Sequence, residues 1–146
     1  MKFKLQIAPA QEEEITATVH RRSALTDQIE ALVMAYNGCD RIPGYGEDDV
    51  KMLLISDIEC ITVSDGKTWA IDCHGQRYRL KQRLHEVEKI LPSSFIRINK
   101  SALANEARLD RFAACFSGAV DAVFQCGYRE YVSRRCFAQI KRRYDL

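Results

Sequence analysis

The sequence predicts a mainly β fold with a minor helical part. Two observations carry this. Apolar residues alternate with polar ones at period two in most of the patterned runs. Tight-turn signals, Asp-Gly, His-Gly, Ser-Gly and Cys-Gly, punctuate those runs from residue 65 onward. Helical periodicity is confined to three stretches, at 24–37, 84–91 and 133–144.

The elements follow in chain order. Residues 2–7 set Phe3, Leu5 and Ile7 against Lys2, Lys4 and Gln6, a strand pattern that Pro9 ends. A second strand is expected at 15–19, from Ile15, Ala17 and Val19, after the solvated run Glu12-Glu13-Glu14. Leu25, Ile29, Leu32, Val33 and Tyr36 then share one helical stripe, with Ser23 able to cap its start and Asn37-Gly38 to close its end. Residues 41–49 read as a strand or loop ending in an acidic turn. From 51 a β meander begins, with runs at 52–55 and 58–63, the hairpin turn Ser64-Asp65-Gly66-Lys67, and strands at 68–73 and 76–80. Leu84, Val87 and Leu91 define a short helix that Pro92 stops. An extended run at 95–101 turns polar, strands are expected at 108–116, 119–125 and 129–132, and Ser133 opens the last helix. Phe137 and Ile140 form its buried side.

Composition narrows the function. With 47% hydrophobic and 29% charged residues the chain has globular rather than disordered composition. No apolar run reaches the roughly 20 residues of a membrane helix. The N-terminus, MKFKLQIAPA, has neither a long apolar core nor a small-residue cleavage site, so a cytoplasmic protein is expected. The six cysteines, Cys39, Cys60, Cys73, Cys115, Cys126 and Cys136, include no CxxC pair, and small buried thiols are the expectation rather than a redox or metal centre. His20, His74 and His85 lie in no nucleophile setting, and Glu47-Asp48-Asp49 lacks the spacing of a calcium loop. The reading assigns no catalytic residue, cofactor, metal or small-molecule substrate.

Charge is distributed unevenly. Residues 1–62 hold 6 Lys and Arg against 11 Asp and Glu, whereas 63–146 hold 16 against 9. A basic C-terminal half fits nucleic acid or a solvated surface equally well. Ser133-Arg134-Arg135 adds a sharper sign. Two cations in the first turn of a helix oppose its dipole, while the same free amides suit a phosphate. The alternative is that both arginines pair with acidic neighbours or stay solvated. Arg97, Asn99, Lys100 and Ser101 form a second basic point. Asn can address a base edge and Lys a phosphate or guanine; the alternative is a capped loop whose Asn and Ser bond their own backbone.

These residues together resemble a known family. The run Ile58-Glu59-Cys60-Ile61, the Asp65-Gly66-Lys67 turn, Leu84 to Leu91 with Pro92, Phe95-Ile96-Arg97-Ile98-Asn99-Lys100-Ser101, Asn105 and Val132-Ser133-Arg134-Arg135 occur in the order of the LytTR DNA-binding domain of bacterial transcription regulators. The resemblance implies small antiparallel sheets stacked as an elongated β sandwich in residues 51–146, with residues 1–50 as an α+β cap that could serve dimerisation or regulation. It implies that loops enter successive major grooves of double-stranded DNA. The residues carried over by position are Gly66, Lys67 and Thr68, Asn99 with Lys100, and Arg134 with Arg135; Arg97 and Ser101 of the same run are DNA-contact candidates beside them. Asn99 stands where family members often have His, and Ala102 and Ala104 where they often have bulkier residues. Residues 1–50 leave no room for the receiver domain of longer relatives, so the chain resembles short stand-alone members, some of which pair with small membrane proteins. Expected partners are DNA, a second copy of the chain, and such a membrane protein. The competing reading is a protein-interaction module that docks its acidic N-terminal segment and binds no DNA.

Overall fold

The computed structural model of the chain describes residues 1–12, 14–35 and 40–145. The chain divides into two units, residues 1–39 and 40–146. In the first, the described residues form one regular element, α1 (Ala24–Ala35). Its start is fixed locally: Thr26 Oγ1 donates to the Ser23 carbonyl and accepts from the Ser23 amide, both at 2.8 Å. Arg22 bridges Asp27 at 2.8 Å and Glu30 at 2.5 Å on the same helix.

The strands expected at 2–7 and 15–19 do not form. Phe3, Leu5, Ile7, Ile15 and Val19 are exposed. Alternation creates an apolar face, but a ribbon without a covering layer is marginal in water. Leu25, Leu32 and Val33 of the α1 stripe are exposed too. Tyr36 and the expected Asn37-Gly38 close lie outside the described residues.

The second unit is mostly antiparallel β, as expected. Its elements are β1 (Arg41–Tyr45), β2 (Val50–Leu54), β3 (Ile58–Ser64), β4 (Lys67–Asp72), β5 (Arg77–Leu80), α2 (Leu84–Ile90), β6 (Phe95–Asn99), β7 (Ala102–Asn105), β8 (Leu109–Ala114), β9 (Val120–Phe124), β10 (Arg129–Val132) and α3 (Arg134–Tyr144). Seven strands form one sheet in the order β2-β1-β5-β4-β3-β7-β6, and three form a second in the order β10-β9-β8. The composition shift near residue 50 falls inside this unit, because β1 pairs with β2 along its length and meets β5 at Tyr45. Gly44 is needed there: a Cβ would lie 2.5 Å from Leu53 Cδ1 and 2.7 Å from Tyr78 Cβ.

Two cores explain why β3 is buried without interruption from Ile58 to Thr62. On one face Ile58, Ile61 and Leu103 pack against Leu84, Val87 and Leu91 of the α2 region. On the other, Cys60, Ala102 and Ala104 pack against Phe124 and Val132 of the small sheet and Ile140 of α3. A bulge between Ile58 and Cys60 re-aims Glu59. That carboxylate is wholly buried and accepts the Cys126 amide at 2.8 Å, tying the β9–β10 turn to the main sheet. Strand β7 is the element that periodicity missed. Ala-Leu-Ala-Asn has weak strand propensity, but its two alanines let Phe124 and Ile140 close onto the sheet.

Candidate nucleic-acid interface

Antiparallel pairing decides which turns share an end of the second unit. β3 runs into the Ser64–Lys67 turn, where Asp65 and Gly66 have φ of 53° and 72° as a two-residue hairpin requires. β7 is antiparallel to β3 and starts opposite Thr62, so the β6–β7 turn lies at the same end. The Val63 amide donates to the Ser101 carbonyl at 2.8 Å and joins the two turns. The exit of β10 is fastened beside them. Asn99 Nδ2 donates to the Tyr131 carbonyl at 2.6 Å, and the Ser133 amide donates to the Ile98 carbonyl at 2.9 Å. Three segments far apart in sequence thus form one rim: the Gly66–Lys67 hairpin, the Asn99–Lys100 turn and the Ser133–Arg135 helix start.

The side chains along that rim fall into two groups. Lys67, Lys100, Arg134 and Arg135 are exposed. Among the described residues, none of these four side chains has an ion-pair or hydrogen-bond partner. Ser133 caps α3 by accepting the Cys136 amide at 3.2 Å, which leaves the earlier amides of that helix open. Gly66 is at the exposed apex of its turn, and a Cβ there would meet nothing within 4 Å. The uncompensated cations at the helix start therefore stay uncompensated in the fold.

The other sequence candidates are engaged within the fold. Asn99 is 6% exposed, with its amide nitrogen on Tyr131 and its oxygen accepting the Ser101 amide at 2.7 Å. One N–H and one lone pair of that amide are thus committed to the backbone, and the side chain is almost wholly covered. Ser101 is half-buried and held by the same bond. The Arg97 guanidinium donates to Glu88 at 2.5 Å and to the Lys100 carbonyl at 2.9 Å, so it shapes the turn from within. Thr68 is 7% exposed, covered inside the main sheet. The capped-loop alternative thus describes Asn99 and Ser101. Sequence reasoning also passed over Glu59 and Asn105 as positioning groups. Asn105 Nδ2 donates to the Ile58 carbonyl at 2.8 Å while its oxygen accepts the Ala107 amide at 3.1 Å.

Behind the rim, burial dominates the chemistry. It pushes the Cys60 thiol well above its usual range, with the Glu130 carboxylate and Cys126 adding to it. Burial also raises the Tyr128 phenol, which donates to Glu130 at 2.6 Å. Of the described cysteines only Cys60 is buried; Cys73, Cys115, Cys126 and Cys136 are half-buried, and all five are free thiols. Among the described residues no cluster of His, Cys, Asp and Glu could hold a metal ion, and no helix is long and apolar enough to cross a membrane.

Comparison with known proteins gives a consistent set of relatives. The family model of the LytTr DNA-binding domain matches residues 48–145. An uncharacterized HTH-type transcriptional regulator of Staphylococcus aureus strain MSSA476 is 30% identical over 149 residues, covering 100% of this chain and 99% of the relative. Its counterpart in strain NCTC 8325 is 30% identical with the same coverage. The solved LytTr DNA-binding domain of a Bacillus cereus protein, described as a methyl-accepting/DNA response regulator, superposes with a TM-score of 0.65 at 19% identity. That match covers 73% of this chain and 98% of the solved one.

Proposed function

The chain belongs to the LytTr DNA-binding domain family, and on that premise we propose how it reads DNA. The protein is a DNA-binding transcription regulator. In our reading Arg135 addresses a base edge in a major groove, Arg134, Lys100 and Lys67 meet phosphates, and the Gly66 apex lets the hairpin approach the duplex closely. Arg97, Asn99, Ser101 and Thr68 hold these groups in place. One observation carries the reading: unpartnered cations from three distant segments share one hydrogen-bonded rim. Among the described residues of the second unit, α2 and α3 form no helix-turn-helix, since five strands separate them. No catalytic step belongs to it.

The same reading places the protein in the cytoplasm and pairs it with a second copy. The exposed stripe Leu25, Leu32 and Val33 on α1 supports a homodimer contact, which would set two half-sites about one DNA turn, roughly 10 base pairs, apart. The small membrane protein expected from short relatives is a further partner of that kind. The test is anisotropy on duplexes selected from a random pool by the full chain. Arg135→Ala should lose roughly 1–3 kcal/mol of specific affinity and relax the preference at one position. Unchanged affinity and preference would sink the assignment.

A further inference from the structure

A fourth segment, the turn between β8 and β9, shares the rim. Val120 at the start of β9 pairs with Val132 at the end of β10, so the β8–β9 turn lies directly beside Ser133 and Arg134. The turn is tight: the Gly118 amide donates to the Cys115 carbonyl at 3.0 Å and the Cys115 amide to the Ala119 carbonyl at 2.8 Å. Gly118 takes φ +77° to close it. Phe116 occupies the second position of the four-residue turn, where the backbone demands no particular side chain. Its ring is as exposed as in an extended chain, with 114% relative accessibility. Among the described residues no hydrogen bond, core contact or ring pair uses its side chain.

We propose that this turn is a fourth DNA-contacting element, and that Phe116 packs against deoxyribose and thymine methyl groups beside the base read by Arg135. The proposal rests on the DNA-reading rim described above and extends it. Charge selects the partner. A cleft of about 590 Å³ runs from Ser117 and Val120 to Tyr131, Arg134, Phe137 and Lys141, and its charged lining residues are both cations. Asp121, the acidic residue next along β9, is already paired with Arg129 at 3.3 Å. An exposed apolar ring one residue along the chain from a cleft that holds two cations suits the alternation of sugar and phosphate along a DNA strand. Apolar contact with the thymine methyl is also an established way to read a base pair.

The experiment uses the full chain and the duplex it selects from a random pool. Phe116→Ala should weaken binding about three- to tenfold, the effect of partly burying a phenyl ring. The slope of log affinity against log salt should not change, because no charge is lost. Hydroxyl-radical protection next to the Arg135-dependent positions should shrink, and Tm should stay constant. Phe116→Trp should retain affinity and change its indole emission on titration with DNA. Wild-type affinity and footprint in Phe116→Ala would overturn the proposal while leaving the rim intact. Altered self-association without altered DNA binding would overturn it in favour of a protein-facing role. If the wild-type chain selects no sequence at all, the rim and this extension fall together.

Discussion

Asn99 offers the sharpest separation between a residue that reads DNA and one that builds the reader. In Asn99→Ala two hydrogen bonds vanish, those to the Tyr131 carbonyl and from the Ser101 amide. Each contributes about 0.5–1.5 kcal/mol net, and a buried group left unpaired adds to the loss, so roughly 2–4 kcal/mol is expected. For a unit of this size about 4 °C of Tm accompanies each kcal/mol, giving a drop of roughly 8–16 °C. Affinity should fall as well, because Tyr131 and Ser133 anchor the helix start that carries Arg135. The assay is thermal unfolding followed by circular dichroism, in parallel with anisotropy on specific and random duplexes. Under the structural reading, base preference at every position weakens together. A variant that kept its Tm while losing preference at one base pair would show that Asn99 itself faces the base, and would refute the reasoning.

Three further outcomes follow from the same geometry. Lys100→Ala should leave Tm unchanged, weaken all sequences alike and lower the salt slope by about one, measured by anisotropy from 50 to 300 mM salt. Glu59→Ala strands the Cys126 amide and should lose about 1–3 kcal/mol in urea unfolding, whereas Glu59→Gln keeps an acceptor and should recover most of it. Tyr128 is held neutral by burial and then by Glu130, so its folded pKa lies above its unfolded value near 10. Its contribution is complete below about pH 10 and is lost as pH rises through the folded value. Tyr128→Phe should therefore flatten the decline in unfolding free energy as pH rises above about 10; parallel curves for the two proteins would contradict this.

What could be read in advance divides along physical lines. The Asp65-Gly66 turn, the β3–β4 hairpin, α2 and the α3 start were legible because local chemistry determines them: positive φ, an apolar stripe, a capping serine. Strand β7 was not, since its alanines are selected by the close approach of Phe124 rather than by propensity. The strands expected at 2–7 and 15–19 failed for the converse reason: their pattern is good, but the apolar face it creates is exposed. At the proposed site, Lys100, Arg134 and Arg135 could be put forward because they break a local rule or stand unpaired. Asn99 and Arg97 had the right chemistry for DNA, but their partners lie at Tyr131 and Glu88, distances in sequence that no short motif reports.

That division explains why the recognisable motif and the proposed reading surface are largely different residues. Phe95 is core, Arg97 braces a turn, Asn99 and Asn105 bond backbone across strands, and Ser133 caps a helix. Each is needed whatever DNA sequence is bound. The exposed cations are connected to the fold only through their backbone, so they can change without unfolding it. Antiparallel alternation then does the gathering: every second turn returns to the same end, which brings the β3–β4, β6–β7 and β8–β9 turns together with the exit of β10. The β4–β5 and β9–β10 turns go to the opposite end, where Asp72 and Glu59 bind backbone amides and tighten the scaffold. Specificity can therefore drift at one end of the sheets while stability is maintained at the other.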